Sequence, residues 1–216
     1  MTPLLAQAAQ ADSSFGMLLL TVLISAAITD NILLTRFLGM CPFLSVSREL
    51  KSAAGMGLAV VFVTTGTVFL NWLLYAHVLE PLKVYGVPAE SLKLLLFIVI
   101  IAGFVQFMEM LIERLSLKLY FALGIFLPLI TVNCAILGAS LFMVNMLGPG
   151  FGALQVLTYG FGAGAGWMIA ILLMAGIRHR LKGASIPEGL DGPGITLIIA
   201  GIMALAFLGF SGVIKT

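Results

Sequence analysis

Long apolar blocks joined by short polar connections make up this chain. Six blocks can be read, at roughly 16–46, 53–79, 93–112, 119–143, 151–176 and 194–213. Each reaches the ~20 residues a helix needs to cross the hydrocarbon core of a bilayer. The pattern predicts an all-helical integral membrane protein with six transmembrane helices. The first block is longer than one crossing needs and carries Asp30, Asn31, Thr35 and Arg36 ahead of Gly39 and Pro42, so it predicts a discontinuous or re-entrant helix. The fourth block is interrupted in the same way at Gly124 and Pro128. A proline within a helix removes one hydrogen bond and crowds the carbonyl four residues earlier, here those of Leu38 and Gly124. Such freed groups are tolerated only where the chain is buried in protein or lines a cavity. Each half, about 16–112 and 119–213, therefore holds one broken segment followed by two continuous ones. Three is odd, so the second half must enter the membrane inverted, and the expectation is a 3+3 inverted repeat with two broken half-helices.

Composition agrees with the pattern. With 61% hydrophobic and 9% charged residues and a mean hydropathy of +1.18, the 216 residues are excluded from the soluble class. A net charge of +2 without like-charge runs excludes nucleic acid as a partner. Residues 1–15 read as a retained extra-membrane tail, because no basic stretch precedes the first apolar run, and 16–216 as a single transmembrane domain. Basic residues cluster after the first, third and fifth segments, at Arg48, Lys51, Arg114, Lys118, Arg178, Arg180 and Lys182. The opposite side holds Lys83, Lys93 and Lys215. The positive-inside rule then predicts a multi-pass protein of the bacterial inner membrane with both termini periplasmic.

Few polar groups lie at membrane depth. Asp30 suits either a structural role, capping the helix break or pairing with Arg36, or a place on an ion path. Glu109 near the end of the third segment reads as interfacial or, again, as a coupling carboxylate. His77 ends the second segment and His179 reads as lying between Arg178 and Arg180 in a basic loop, so they do not form a facing haem-ligand pair. The run Gly160-Phe161-Gly162-Ala163-Gly164-Ala165-Gly166 lacks the lysine and the strand-to-helix setting of a phosphate loop, and is expected to permit close helix packing. Two cysteines, Cys41 and Cys134, accompany the two helix breaks. They leave three options: inert apolar thiols, a disulfide, or half of a metal site completed by a second chain, since soft thiolates suit zinc, Cu(I) and iron–sulfur clusters.

Asp30-Asn31-Ile32-Leu33-Leu34 leading into Phe37-Leu38-Gly39-Met40-Cys41, and Leu123-Gly124-Ile125-Phe126-Leu127-Pro128-Leu129-Ile130-Thr131-Val132-Asn133-Cys134, resemble a known family. It is the membrane-subunit family shared by the sodium-translocating NADH:quinone oxidoreductase, as its D and E subunits, and the Rnf complex, as its A and E subunits. The likeness runs from about residue 17 to the C-terminus and includes Tyr159-Gly160-Phe161-Gly162 and Phe210-Ser211-Gly212. Thr131-Val132-Asn133-Cys134, Gly166-Trp167-Met168 and Gly194-Ile195-Thr196 lean towards the E-type branch of the quinone reductase, whereas Cys41-Pro42 leans towards the A-type branch of Rnf.

The resemblance implies an electron carrier. Two homologous six-helix subunits would pack in opposite orientations and share one intramembrane 2Fe-2S cluster, with Cys41 and Cys134 as this chain's ligands. Gly39, Pro42, Gly124, Pro128 and Asn133 would shape the loops around it, and Asp30 and Glu109 are the candidates for ion coupling. Implied partners are the inverted D-type subunit (or the E-type subunit of Rnf), the flavin-containing subunits of the same complex, and membrane lipid. The chain would belong to an NADH:quinone reductase translocase without being catalytic alone. A secondary transporter or channel without a redox cofactor, or a structural membrane subunit, is the rival reading.

Overall fold

The computed structural model describes residues 15–81, 89–115, 127–147, 152–183, 187, 189–190 and 192–209. Every regular element among them is helical, with no strand. They are α1 (Phe15–Thr29), α2 (Met40–Val46), α3 (Leu50–Leu79), α4 (Ala89–Leu115), α5 (Leu127–Thr131), α6 (Cys134–Leu147), α7 (Ala153–Leu181) and α8 (Pro193–Leu208). Four stretches are long and apolar enough to cross a membrane, namely Leu50–Leu79, Leu92–Leu111, Pro128–Asn145 and Ala153–Leu181; α1 and α8 are shorter apolar helices.

The centre of the bundle is the pair α3 and α7, which share the most extensive contact of the fold. Glycines make it possible. A Cβ on Gly164 would stand 2.7 Å from Val61 Cα, and one on Gly160 would stand 3.1 Å from Thr65 Cα, both on α3. Half a turn round, a Cβ on Gly166 would stand 2.5 Å from Ala27 O, and one on Gly162 would stand 3.0 Å from Leu23 O, both on α1. Two interleaved small-residue ridges thus let two backbones touch α7, as the glycine run predicts. Polar bonds fasten the same core. Asn71 on α3 donates to Ser140 Oγ on α6 (2.8 Å), and Arg178 Nη1 at the end of α7 donates to Leu44 O (3.0 Å) and Ser47 Oγ (2.9 Å) beside α2.

The first predicted helix break is present, though Pro42 is not its cause, and a second break lies at Val132 and Asn133, between α5 and α6, after the Pro128 at which it was expected. α1 ends in a π turn, where Asp30 N–H donates to Ser25 O (2.7 Å), and the chain stays irregular until Gly39. Pro42 is the third residue of α2, and Pro128 the second of α5. In the first turn of α2 the missing N–H of Pro42 would have had no partner in any case, so this proline begins a helix instead of interrupting one, whereas the chain before Leu127 lies outside the described residues. The Leu38 carbonyl is therefore not the freed helical group expected. Gly124 and the rest of its run up to Phe126 lie outside the described residues, as do Met1 to Ser14 and Lys215. The fifth segment also extends past 176 to Leu181, so Arg178, His179 and Arg180 form its last turn and not a loop. Lys93, expected in a connection, lies within α4 and is buried.

Candidate functional site

The two breaks meet at one backbone-to-sulfur contact. Gly39 N–H donates to Cys134 Sγ at 3.0 Å, across 95 residues of sequence. Cys41 is two residues further on, the second residue of α2; Cys134 is the first residue of α6. Both cysteines are free, so the disulfide option is not realised, and both are exposed on the surface of the chain although Pro42, Phe43, Asn133 and Ala135 around them are buried.

Gly39 is required there twice over. Its φ of 80° is left-handed, a region that costs any side chain with a Cβ. An added Cβ would also fall 2.7 Å from Trp167 Nε1 and 2.9 Å from both Ala135 Cβ and Asn133 Oδ1. Residues of α2, α6 and α7 therefore converge on a bare backbone.

Asparagines hold each break in shape. Asn133 Oδ1 accepts from Ala135 N–H (3.0 Å), and Asn31 Oδ1 accepts from Leu33 N–H (3.1 Å) in the same i to i+2 turn. Asn31 Nδ2 then donates to Ala27 O (3.0 Å) and to Gly166 O (2.8 Å) on α7, tying the first break to the central helix. Beside Gly39, Asn133 Nδ2 and Trp167 Nε1 are buried donors with no partner among the described residues. The sequence marks Asn31 as part of the break and Trp167 as part of a family motif, but not the bonds and contacts they make, because those depend on residues far along the chain. The one local sign of Asn31 is an amide beside Asp30 in an apolar run.

The coupling candidates lie apart in character. Asp30 Oδ1 is 3.5 Å from Arg36 Nη2, both partly exposed, and the Arg36 guanidinium sits 4.7 Å over the Phe142 ring. With Tyr159 and Ala163 these residues line a small hollow beside the first break. The pairing half of the Asp30 reading is therefore realised. Glu109 is half-buried on α4 and makes no ion pair among the described residues. His77 is exposed, with Nδ1 3.1 Å from Leu73 O.

Chemically the arrangement offers two soft, outward-facing thiols, one of them already holding a backbone N–H, with two further unpaired N–H donors buried close by. Among the described residues no three His, Cys, Asp or Glu side chains come together as a metal site. Known proteins share this sequence along most of its length. The family described as "Rnf-Nqr subunit, membrane protein" matches residues 19–214. The E subunit of the Na(+)-translocating NADH-quinone reductase from Marinobacter nauticus is 50% identical over 199 residues, covering 90% of this chain and 97% of that protein. Subunits of the same name from Aeromonas salmonicida and Hahella chejuensis are 48% and 49% identical, with the same coverage. Matched along nearly its whole length, the chain belongs to the Rnf-Nqr family of membrane subunits.

Proposed function

We propose that this chain is the E-type membrane subunit of a Na(+)-translocating NADH-quinone reductase and forms half of an intramembrane electron relay. The relatives at about half identity carry that subunit's name, which favours it over the A-type subunit of Rnf. The observation that carries the relay is the Gly39 N–H to Cys134 Sγ contact, which sets the thiol of the second half against backbone two residues before Cys41 of the first.

The donor set suits half of an iron–sulfur cluster. Such clusters are held by four thiolates, and two exposed thiols leave room for two more from a second chain. When bound, a 2Fe-2S cluster would supply a one-electron relay. Cys41 and Cys134 would hold it through sulfur, while the Gly39 N–H draws electron density from the Cys134 thiolate. The unpaired Trp167 and Asn133 N–H groups add positive dipole ends to the same neighbourhood, and hydrogen-bond donors near thiolate sulfur favour the reduced state. The partner supplying the other thiols would be the homologous D-type subunit in inverted orientation, with flavin-containing subunits as neighbours in the electron path.

Element packing supports the inverted repeat. α3 packs on α6 much as α7 packs on α1, and α4 joins α3 as α8 joins α7. Each half thus sets its second helix against the broken first helix of the other.

The test is iron content and the reduced-state EPR signal of the purified assembly. Cys41→Ser and Cys134→Ser should each abolish the signal and NADH-to-quinone turnover, while flavin content stays near that of the unaltered assembly. A double variant that keeps both iron and electron flow would overturn the relay and leave the transporter reading in its place.

A further inference from the structure

A second polar feature lies away from the thiols, where the start of α3, the end of α7 and the start of α8 surround a cavity of about 470 Å³. Arg48, Arg178 and Lys182 line it, and among the described residues one carboxylate, Glu49, lines it with them. Among the described residues none of the three cations has a carboxylate within ion-pair distance. Glu49 Oε2 accepts from Ser52 Oγ at 3.4 Å. Arg178 is held in place by Leu44 O and Ser47 Oγ through Nη1 alone, and a guanidinium has five N–H donors, so Nε and Nη2 remain to serve the cavity. α8 contributes its positive N-terminal end, capped by Gly192 without a side-chain bond. The rest of the lining includes Leu181 at the end of α7 and Ile195 in the first turn of the apolar helix α8.

Three like charges converging on one opening raise each other's energy unless an anion sits among them. An arginine fork held by the fold is suited to phosphate oxygens. An adjoining apolar wall at the helix ends suits an acyl chain. We propose that this cavity binds the phosphate of an anionic phospholipid, with Arg48, Arg178 and Lys182 on the headgroup and Leu181 and Ile195 along the chain. A bound anion there would also join α3, α7 and α8, of which α8 has the fewest other attachments to α7.

The test uses the purified assembly stripped of lipid in detergent. Phosphatidylglycerol, phosphatidylcholine and inorganic phosphate are titrated separately, with thermal stability and retained lipid in native mass spectrometry as readouts. Phosphatidylglycerol should raise Tm and remain bound. The exposed pair Arg48→Gln, Lys182→Gln should require about thirtyfold more of it for the same rise, the effect of two interfacial cations, and should retain one lipid fewer, with turnover in native lipid unchanged. Glu49→Gln, which removes that carboxylate, should tighten retention, and it serves as the test should the double variant fail to assemble. Equal stabilisation by phosphatidylcholine, or an unchanged titration in the double and Glu49 variants, would overturn the site. Equal stabilisation by inorganic phosphate would replace the lipid with a free anion.

Discussion

Asn31 makes four hydrogen bonds from one buried side chain: two received from the chain of the break itself and two given, to Ala27 O and Gly166 O. Asn31→Ala leaves those partners dry and unpaired, and should cost about 2–3 kcal/mol, read as lost resistance to thermal unfolding in detergent. Asn31→Asp keeps the shape but cannot donate, and should be no better tolerated. Gly39→Ala should act on the site more than on the fold, since its Cβ meets Trp167 Nε1 and Asn133 Oδ1 at 2.7 and 2.9 Å in a left-handed backbone. Loss of iron from an assembly that still forms is the expected result, and full iron retention would remove Gly39 from the site. Asp30, paired at 3.5 Å with Arg36 beside a hollow, is expected to serve coupling. Asp30→Asn should lower the ions moved per electron without loss of the EPR signal, and unchanged stoichiometry would assign the carboxylate to structure. The two cysteines were legible because thiols are few and each accompanies punctuation by glycine, proline or asparagine. The place of Trp167 beside Gly39 was not, because what brings it there is the packing of α7, and no local pattern encodes a contact 128 positions away.

At the scale of elements, the α7 glycines can be separated by what faces them. Gly164→Ala or Gly166→Ala drives a methyl into the backbone of Val61 or Ala27, whereas Gly176→Ala on the same helix meets nothing within 4 Å. The first two should lower Tm by several degrees and reduce assembly yield; Gly176→Ala should hold or slightly raise Tm, because it only removes unfolded-state freedom. Equal effects at all three positions would mean that the helices do not rely on backbone approach. Helix existence was readable from apolar run length, and the first break from Asp30, Asn31 and Gly39, whereas the break at Val132 and Asn133 was expected earlier, at Gly124 and Pro128. The attribution to proline failed at Pro42 because a proline signals both the end of one helix and the first turn of the next, and only the neighbouring backbone decides which. The end of α7 was misplaced for a related reason. Arg178 stops the apolar run, but its long stem lets the helix continue while the charge reaches Ser47.

For the molecule as a whole, the expected orientation rests on the excess of basic residues at Arg48, Lys51 and Arg180 over those on the opposite side. A reporter active only in the cytoplasm should give signal when fused at Lys51 and none at Lys215; signal at Lys215 would reverse the orientation. The interleaved glycines of α7 bear on motion as well. With Gly160 and Gly164 locked against one neighbour and Gly162 and Gly166 against another on a different face, α7 can neither roll nor slide without driving backbone into backbone. Rearrangement among the described helices is then expected at the rim, where α4 and α8 are held by fewer contacts, while α1, α3 and α7 keep their places at the middle of the bundle.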